Sequence, residues 1–317
     1  MKSLQARHKK IRIILIAVII LLAAAIGISY QSIKRSYRDP VVTEVTIESE
    51  KVTEPIKYVF FADLHESIFE EENRQLYDQI RDLDPDFILI GGDLINWTTE
   101  DARPYAKEVI QNLSAIADVY YGLGNHEVEY LIIRDEIEFT NKDRDNSSLR
   151  LPNKDDGGLI ASIRNAGGVV LQREWTDIEV RGTKIRIGAA YEDMYSLDEN
   201  NSSATMQPGM YSFLEGFQDT DALKLYIAHR PSSFLLGNAA SLWDIDVVMS
   251  GHEHGGQVIL PYFGGFFSRE RGYFPDYTQG DFAFGNTTMI VTSGLGSDNE
   301  PLPRFNNPPE IVCVTVQ

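Results

Sequence analysis

Five of the six histidines in this chain close a short apolar run. His65 ends Val59-Phe60-Phe61-Ala62-Asp63-Leu64-His65, and His229 follows Leu223-Lys224-Leu225-Tyr226-Ile227-Ala228. His252 and His254 follow the run 245–249, inside Ser250-Gly251-His252-Glu253-His254-Gly255-Gly256-Gln257. His126 lies in Gly124-Asn125-His126-Glu127, after Asp118-Val119-Tyr120-Tyr121, and the run Phe87-Ile88-Leu89-Ile90 ends in Gly91-Gly92-Asp93. Short apolar runs of this kind read as buried strands, and open α/β sheets gather their sites at the carboxyl ends of strands. Scattered core histidines would not line up in this way. Each residue alone has a plainer reading: Asp63 as a turn cap, Asn125 at a left-handed turn position, His229 as a satisfied core histidine. Taken as a set, they predict one metal site built from several loops. Alternate residues of an extended segment point the same way, so the two imidazoles of His252 and His254 reach one site or two adjacent ones.

The rest of the chain supplies the frame for those loops. Residues 41–52 alternate apolar and polar, as a half-exposed edge strand does. Strands are expected at 58–62, 86–90 and 118–122, with helices over 69–82, ended by Pro85, and over 101–116. That β-α-β-α-β order predicts a largely parallel sheet in this half. Residues 133–157 are polar with little periodicity and read as a loop insertion. Further on, a helix near 158–165, strands around 168–180 and 183–190, an irregular flap over 192–221, a strand at 222–228, a helix near 232–240 and a strand at 245–249 are expected. The chain then closes in β-structure at 288–292 and 311–316. Ligand-type residues come from both halves, so 41–317 forms one domain.

The first 33 residues read as a membrane anchor and 34–40 as a linker that spans at most ~25 Å. Residues 13–33 are 21 uncharged residues, the first sixteen wholly apolar or glycine, about the ~20 that cross a bilayer. Lys2, Arg7, Lys9, Lys10 and Arg12 precede them, against Lys34, Arg35 and Arg38 after, which favours an inside N-terminus and a domain outside the cytoplasm. Ala23-Ala24-Ala25 would suit a signal-peptide cleavage site, but the uncharged run continues past it, so an uncleaved anchor is preferred. Without the five basic residues of the first thirty, the chain has 24 basic against 47 acidic residues. Such a surface excludes nucleic acid as a partner, since that binding depends on cationic contacts to phosphate. It admits a phosphorylated substrate only where bound cations reverse the local field. The single Cys313 rules out a thiolate cage and an internal disulfide.

Asp63-x-His65, Gly92-Asp93, Gly124-Asn125-His126-Glu127, His229 and Gly251-His252-x-His254 occur in the order that resembles the calcineurin-like metallophosphoesterases. The resemblance covers nearly everything after the anchor. Gly255-Gly256-Gln257, and Leu302-Pro303-Arg304 ahead of Pro308-Pro309-Glu310, are similar to the membrane-anchored branch that includes the YkuE-type phosphoesterases. The resemblance implies an α/β fold, a four-layer α/β/β/α sandwich of two mixed sheets. It implies two divalent metal ions (Mn, Zn or Fe), the first held by Asp63, His65, Asp93 and His254. The second would be held by Asn125, His229, His252 and the same bridging Asp93. His126 would contact phosphate and protonate the leaving oxygen, and Arg304 is a candidate substrate contact. Glu127 is expected either to orient His126 or to face solvent, and Arg230 to be structural. Two residues depart from the pattern: Ala62 where relatives usually have serine, and Glu253 where threonine is common.

The implied activity is hydrolysis of a phosphomonoester, phosphodiester or pyrophosphate bond by a metal-bridging hydroxide. The short tether points to a lipid-linked phosphate, with a soluble small molecule as the other substrate class. A non-catalytic metal-binding scaffold at the cell surface is the alternative. The presence of His126, which metal binding does not need, disfavours it.

Overall fold

The computed structural model describes residues 2–69, 73–136, 138–139, 149–150, 157–191, 209–235, 239–297 and 301–317. Twelve strands carry the fold: β1 (Val41–Ile47), β2 (Ile56–Phe61), β3 (Phe87–Ile90), β4 (Asp118–Gly122), β5 (Gly168–Leu171), β6 (Glu174–Val180), β7 (Thr183–Ala189), β8 (Leu223–Ile227), β9 (Val247–Ser250), β10 (Gly280–Phe284), β11 (Thr287–Val291) and β12 (Glu310–Val316). They make two six-stranded sheets, in the orders β1-β12-β2-β3-β4-β5 and β10-β11-β9-β8-β7-β6. In the first, β2, β3, β4 and β5 run parallel and β12 enters antiparallel to β2. In the second, β11, β9, β8 and β7 are parallel, with antiparallel edges at β10 and β6. Both sheets are therefore mixed.

Side chains alternate across each strand and sort into three cores. Tyr58, Phe60, Phe87 and Leu89 meet Ile185, Ile187, Leu225, Ile227 and Met249 between the sheets. Val59, Phe61, Ile88 and Ile90 point the other way, towards helices α2 (Arg74–Asp82), α3 (Arg103–Ser114), α4 (Asn125–Ile133) and α5 (Leu159–Asn165). Tyr226, Val248 and Met289 leave the second sheet for α6 (Met210–Gln218) and the short helix Ser232–Leu235. The order is helix, sheet, sheet, helix, as the resemblance implied. α3 shows why these segments are helical. Ala106, Val109, Ile110 and Leu113 repeat at three and four residues and are buried, and Pro104 sits in the first turn.

Several expectations need correction. The segment 192–221 is not irregular throughout: α6 occupies 210–218 and buries Met210, Phe213, Leu214 and Phe217, while 192–208 lies outside the described residues. Most of the 133–157 insertion lies outside them too, but Glu138–Phe139 pairs antiparallel with Leu149–Arg150. α4, which the residue pattern left unread, begins inside the Gly-Asn-His-Glu motif. Of the helix expected near 232–240, Ser232–Leu235 and Ala239–Leu242 are helical, and 236–238 lie outside the described residues.

The N-terminal helix α1 runs without a break over Lys2–Arg35. Its part from Lys10 to Arg35 holds an 18-residue window with a mean hydropathy of 3.0 and is long and apolar enough to cross a membrane. The helix absorbs the first residues of the expected linker and is fastened at its base. Asn306 N donates to the Ser32 hydroxyl (2.9 Å), Asn307 N to the Ser36 hydroxyl (3.1 Å) and Arg304 N to the Tyr37 hydroxyl (2.9 Å).

Candidate metal centre

The loops leaving β2, β3, β4, β8 and β9 meet at the carboxyl ends of the two sheets. The first two are laced together: Asp63 N donates to Gly92 O (2.9 Å), and His65 N to Asp93 O (3.0 Å). The third is tied in by Glu127, whose buried carboxylate accepts from Gly124 N, Asp93 N, Leu94 N and Ile95 N at 2.8–3.3 Å. Glu127 thus neither faces solvent nor holds the His126 ring; it locks two loops. His252 N donates to the Asp63 carboxylate (2.9 Å), and His126 N to Asp93 Oδ1 (2.7 Å). Room for this is made by glycine: a Cβ on Gly124 would lie 2.1 Å from Asp93 Oδ1, and one on Gly251 2.5 Å from Asp63 Oδ2.

Asp63, His65, Asp93, His252 and His254 all adopt left-handed backbone conformations, with φ between 46° and 69°. Such residues cost on the order of 1–3 kcal/mol each and persist only where the surroundings over-determine them. Here the lacing of the loops does so. Five of the seven residues expected to hold metal are strained, which marks the locality as built for a purpose other than stability.

The side chains converge as three donor groups, linked one to the next by His65 and Asp93. Asp63, His65 and His254 bring donor atoms within 4.8 Å of one another, and Asp93, His229 and His252 do the same. Asp93 also groups with His65 and His126. His229 Nε2 is 3.1 Å from Asp93 Oδ2 and 3.1 Å from Asn125 Oδ1. Hydrogen bonds at the far nitrogens aim the rings: His229 Nδ1 lies 2.7 Å from Gly91 O and His254 Nδ1 3.3 Å from Gly296 O. His252 Nε2 is 3.1 Å from Glu270 Oε2. A partner on one nitrogen leaves the other as the lone pair for a metal.

The electrostatics agree. Burial lifts the Asp63 carboxyl to about 7, and the neighbouring Asp93 charge adds to the lift. Burial alone would do the same to Asp93, but His229, His65 and His126 outweigh it and hold Asp93 well below the usual range. Burial presses His229 down, yet Asp93 and Asp63 carry it up to about 9. His252 and His254 are lowered, chiefly by burial. Two buried carboxylates, imidazoles that bind a metal in their neutral form and an amide oxygen, with no thiolate, are a donor set that fits zinc, iron or manganese. The residues present fit a divalent cation.

Outside these groups is a cleft of about 400 Å³, lined among others by Trp97, His126, Arg230, Arg269 and Glu270. Arg230 therefore faces the site instead of serving as a remote ion pair. Arg304 does not reach it. Its guanidinium is wholly buried and donates to the backbone oxygens of Gly294, Gly296, Asn307 and Pro308 at 2.6–3.1 Å, so a substrate role for it is withdrawn. Glu253 is buried, is pushed up to about 7 by that burial, and joins none of the three donor groups among the described residues. Glu270 escaped sequence reasoning because it lies outside every motif, sixteen residues beyond His254.

The model of the calcineurin-like phosphoesterase family matches residues 56–256 of this chain, which hold every one of the donor residues. The chain belongs to that family. Its class of chemistry is accordingly the metal-dependent hydrolysis of phosphoesters. An uncharacterized metallophosphoesterase of Campylobacter jejuni is 25% identical over 301 residues, covering 94% of this chain and 68% of that protein. The uncharacterized metallophosphoesterase YkuE of Bacillus subtilis is 26% identical over 291 residues, 87% of this phosphoesterase and 85% of YkuE. A solved structure of a putative 5'-nucleotidase from Staphylococcus aureus is similar at 15% identity and a TM-score of 0.43, covering 76% of this chain and 49% of that one.

Proposed function

We propose that this phosphoesterase is an enzyme held at the outer face of a membrane by α1, and that it cleaves a phosphoester or pyrophosphate bond in a lipid-linked substrate at a centre of two divalent ions. One observation carries the two-ion reading: Asp93 is the member common to two donor groups, one with His229 and His252, the other adjoining Asp63, His65 and His254 through His65. One ion would lie among Asp63, His65, Asp93 and His254, the other among Asp93, Asn125, His229 and His252. Ions bound there would lower the pKa of a water and neutralise charge developing at phosphorus.

The protein's own groups do the remainder. The Gly91, Gly296 and Glu270 oxygens hold the three outer imidazoles in the required orientation. His126 lines the cleft beside His65, with ring centroids 4.5 Å apart, and its Nδ1 faces Trp97 N at 3.4 Å. This supports Nε2 as the atom that delivers a proton to the leaving oxygen. Arg230 also lines the cleft, its guanidinium carbon 5.7 Å from the Tyr191 ring, and there it would meet non-bridging phosphate oxygens. The lipid-linked choice rests on the shortness of the attachment between Arg35 and Val41.

The test is a hydrolysis screen of the purified full chain with Mn, Zn and Fe, against mono-, di- and pyrophosphoesters with and without an acyl chain. Two metals per chain, and turnover that prefers the acylated compounds, are expected. Asp93→Asn removes a ligand of both ions, so it should deplete metal and abolish turnover together. A variant that keeps two ions and normal rates would overturn the shared-ligand assignment.

A further inference from the structure

The loop bearing His252 and His254 leads straight into two small hairpins, Ile259–Leu260 with Gly264–Gly265 and Phe267–Ser268 with Gly272–Tyr273. They form one stiff unit. Phe266 N donates to Val258 O and Phe274 N to Phe266 O, both at 2.8 Å, and the Phe266 ring packs on Tyr273 and Phe274. The inner side of this unit closes the metal cleft with Ser268, Arg269 and Glu270. The same unit exposes four large aromatic side chains. Tyr262 is 104% exposed, Phe263 75%, Tyr273 69% and Phe274 54%. Single exposed apolar residues need no explanation, but a cluster of large ones marks an interaction site.

Its position identifies the partner. Pro261, at the root of the Tyr262-Phe263 turn, lines one groove of about 1250 Å³ together with Ala24, Gly27 and Ile28 of α1. Ser32 takes the first of the hydrogen bonds that fasten α1 to the domain. At a rise of about 1.5 Å per residue, Ala24 and Ile28 lie roughly 12 and 6 Å further down the helix, within its apolar part. The root of the turn therefore shares a groove with the C-terminal part of the segment that is long and apolar enough to span. Aromatic side chains settle at the lipid–water boundary, where an apolar body and a polar edge are both satisfied.

We propose that the double hairpin dips into the bilayer beside α1, with Tyr262 and Phe263 in the lipid interface, so that the occupant of the groove is lipid. This inference rests on the reading of α1 as a membrane span and deepens the lipid-linked substrate class proposed above. The element that touches lipid at Tyr262 also walls the metal cleft at Glu270. A lipid headgroup leaving the bilayer along this hairpin enters the cleft directly.

The test uses the full chain in phosphatidylcholine–phosphatidylglycerol nanodiscs. The buried Cys313 is replaced by alanine, and single cysteines carry an environment-sensitive fluorophore. Phe263→Cys reports on the hairpin, Ile20→Cys on the anchor, and Lys184→Cys, at the opposite end of the parallel strands, on bulk water. Spin-labelled lipid should quench positions 263 and 20 and leave 184 bright. Quenching at 20 without quenching at 263 overturns the hairpin proposal and leaves the anchor standing. Quenching at neither position removes both. Neither reading depends on turnover, so a failed substrate screen is told apart from a failed docking surface.

Discussion

His126 and Glu270 are the two residues of the candidate centre whose proposed roles lie outside metal binding. His126 lies in the same donor group as His65 and Asp93, yet its backbone N–H is committed to Asp93 Oδ1 and its ring opens on the cleft. If it acts on the leaving oxygen, His126→Ala should keep both ions and lose roughly 10²–10⁴-fold in kcat. The loss should be large for alkyl esters and small for p-nitrophenyl esters, whose leaving group needs no proton. Saturating kinetics with both substrates decide the matter, and an equal loss would assign His126 to phosphate positioning. Glu270 acts one step further out. Its carboxylate is drawn down to about 2, first by the hydrogen bond from His252, and that bond at Nε2 leaves Nδ1 of His252 as the lone pair a metal could use. Glu270→Ala should weaken the second ion by about 10–100-fold without touching the first, as read by chelator competition. Glu270→Gln, which still accepts a hydrogen bond, should recover part of the loss.

At the scale of elements, what was legible in the sequence was whatever repeats at short range. The buried strands before His65, Asp93, His229 and His252 were visible because each is a closed apolar run, and α3 because its apolar residues keep helical spacing. α6 was hidden: Met210, Phe213, Leu214 and Phe217 have that spacing too, but they close a stretch whose earlier part is rich in serine and asparagine. The seven residues expected to hold metal were readable as a set because motif order survives without coordinates, and six of them fall in the convergent groups of the fold. The roles of Glu127 and Arg304 were not, because their partners are backbone atoms brought together by folding. Arg304 is the clearer case. Burial lowers its guanidinium to about 10, and its donors hold the 294–296 and 307–308 backbone against the loop of His254, to whose oxygen Asn307 Nδ2 donates at 2.7 Å. Arg304→Met would strand those carbonyls at a cost of on the order of 3 kcal/mol. Denaturant unfolding should show that drop, with KM for a soluble phosphoester nearly unchanged in the folded fraction. A raised KM at full stability would return Arg304 to the substrate.

For the whole molecule, the metal centre couples folding to pH. In the metal-free protein the folded-state pKa of His229 is raised from 6.5 to about 9 and that of Asp63 from 3.8 to about 7. A raised value means that the folded state binds the proton more tightly than the unfolded chain. The stability from His229 is then fully present below its unfolded pKa and is lost as pH rises towards 9. Protonated Asp63 likewise favours the fold at low pH, and that contribution is gone by about 7. His252 and His254 have lowered values, so they act in the opposite sense, but only below their unfolded value of 6.5. Between pH 6.5 and 9, then, His229 dominates, and the metal-free fold should weaken as pH rises. A divalent ion requires His229 neutral and Asp63 ionised, so its binding releases protons and strengthens over the same window. The increase in Tm on adding manganese should therefore grow from about pH 6.5 to about pH 8.5. Asp63→Asn, which removes one of the two titrating groups and a ligand of the first ion, should flatten that growth. Scanning calorimetry of the full chain, with chelator and with metal across this range, measures it directly. A metal-induced shift that stays constant or shrinks with pH would show that His229 is already neutral in the metal-free fold, and the coupling of Asp93, Asp63 and His229 described here would be wrong.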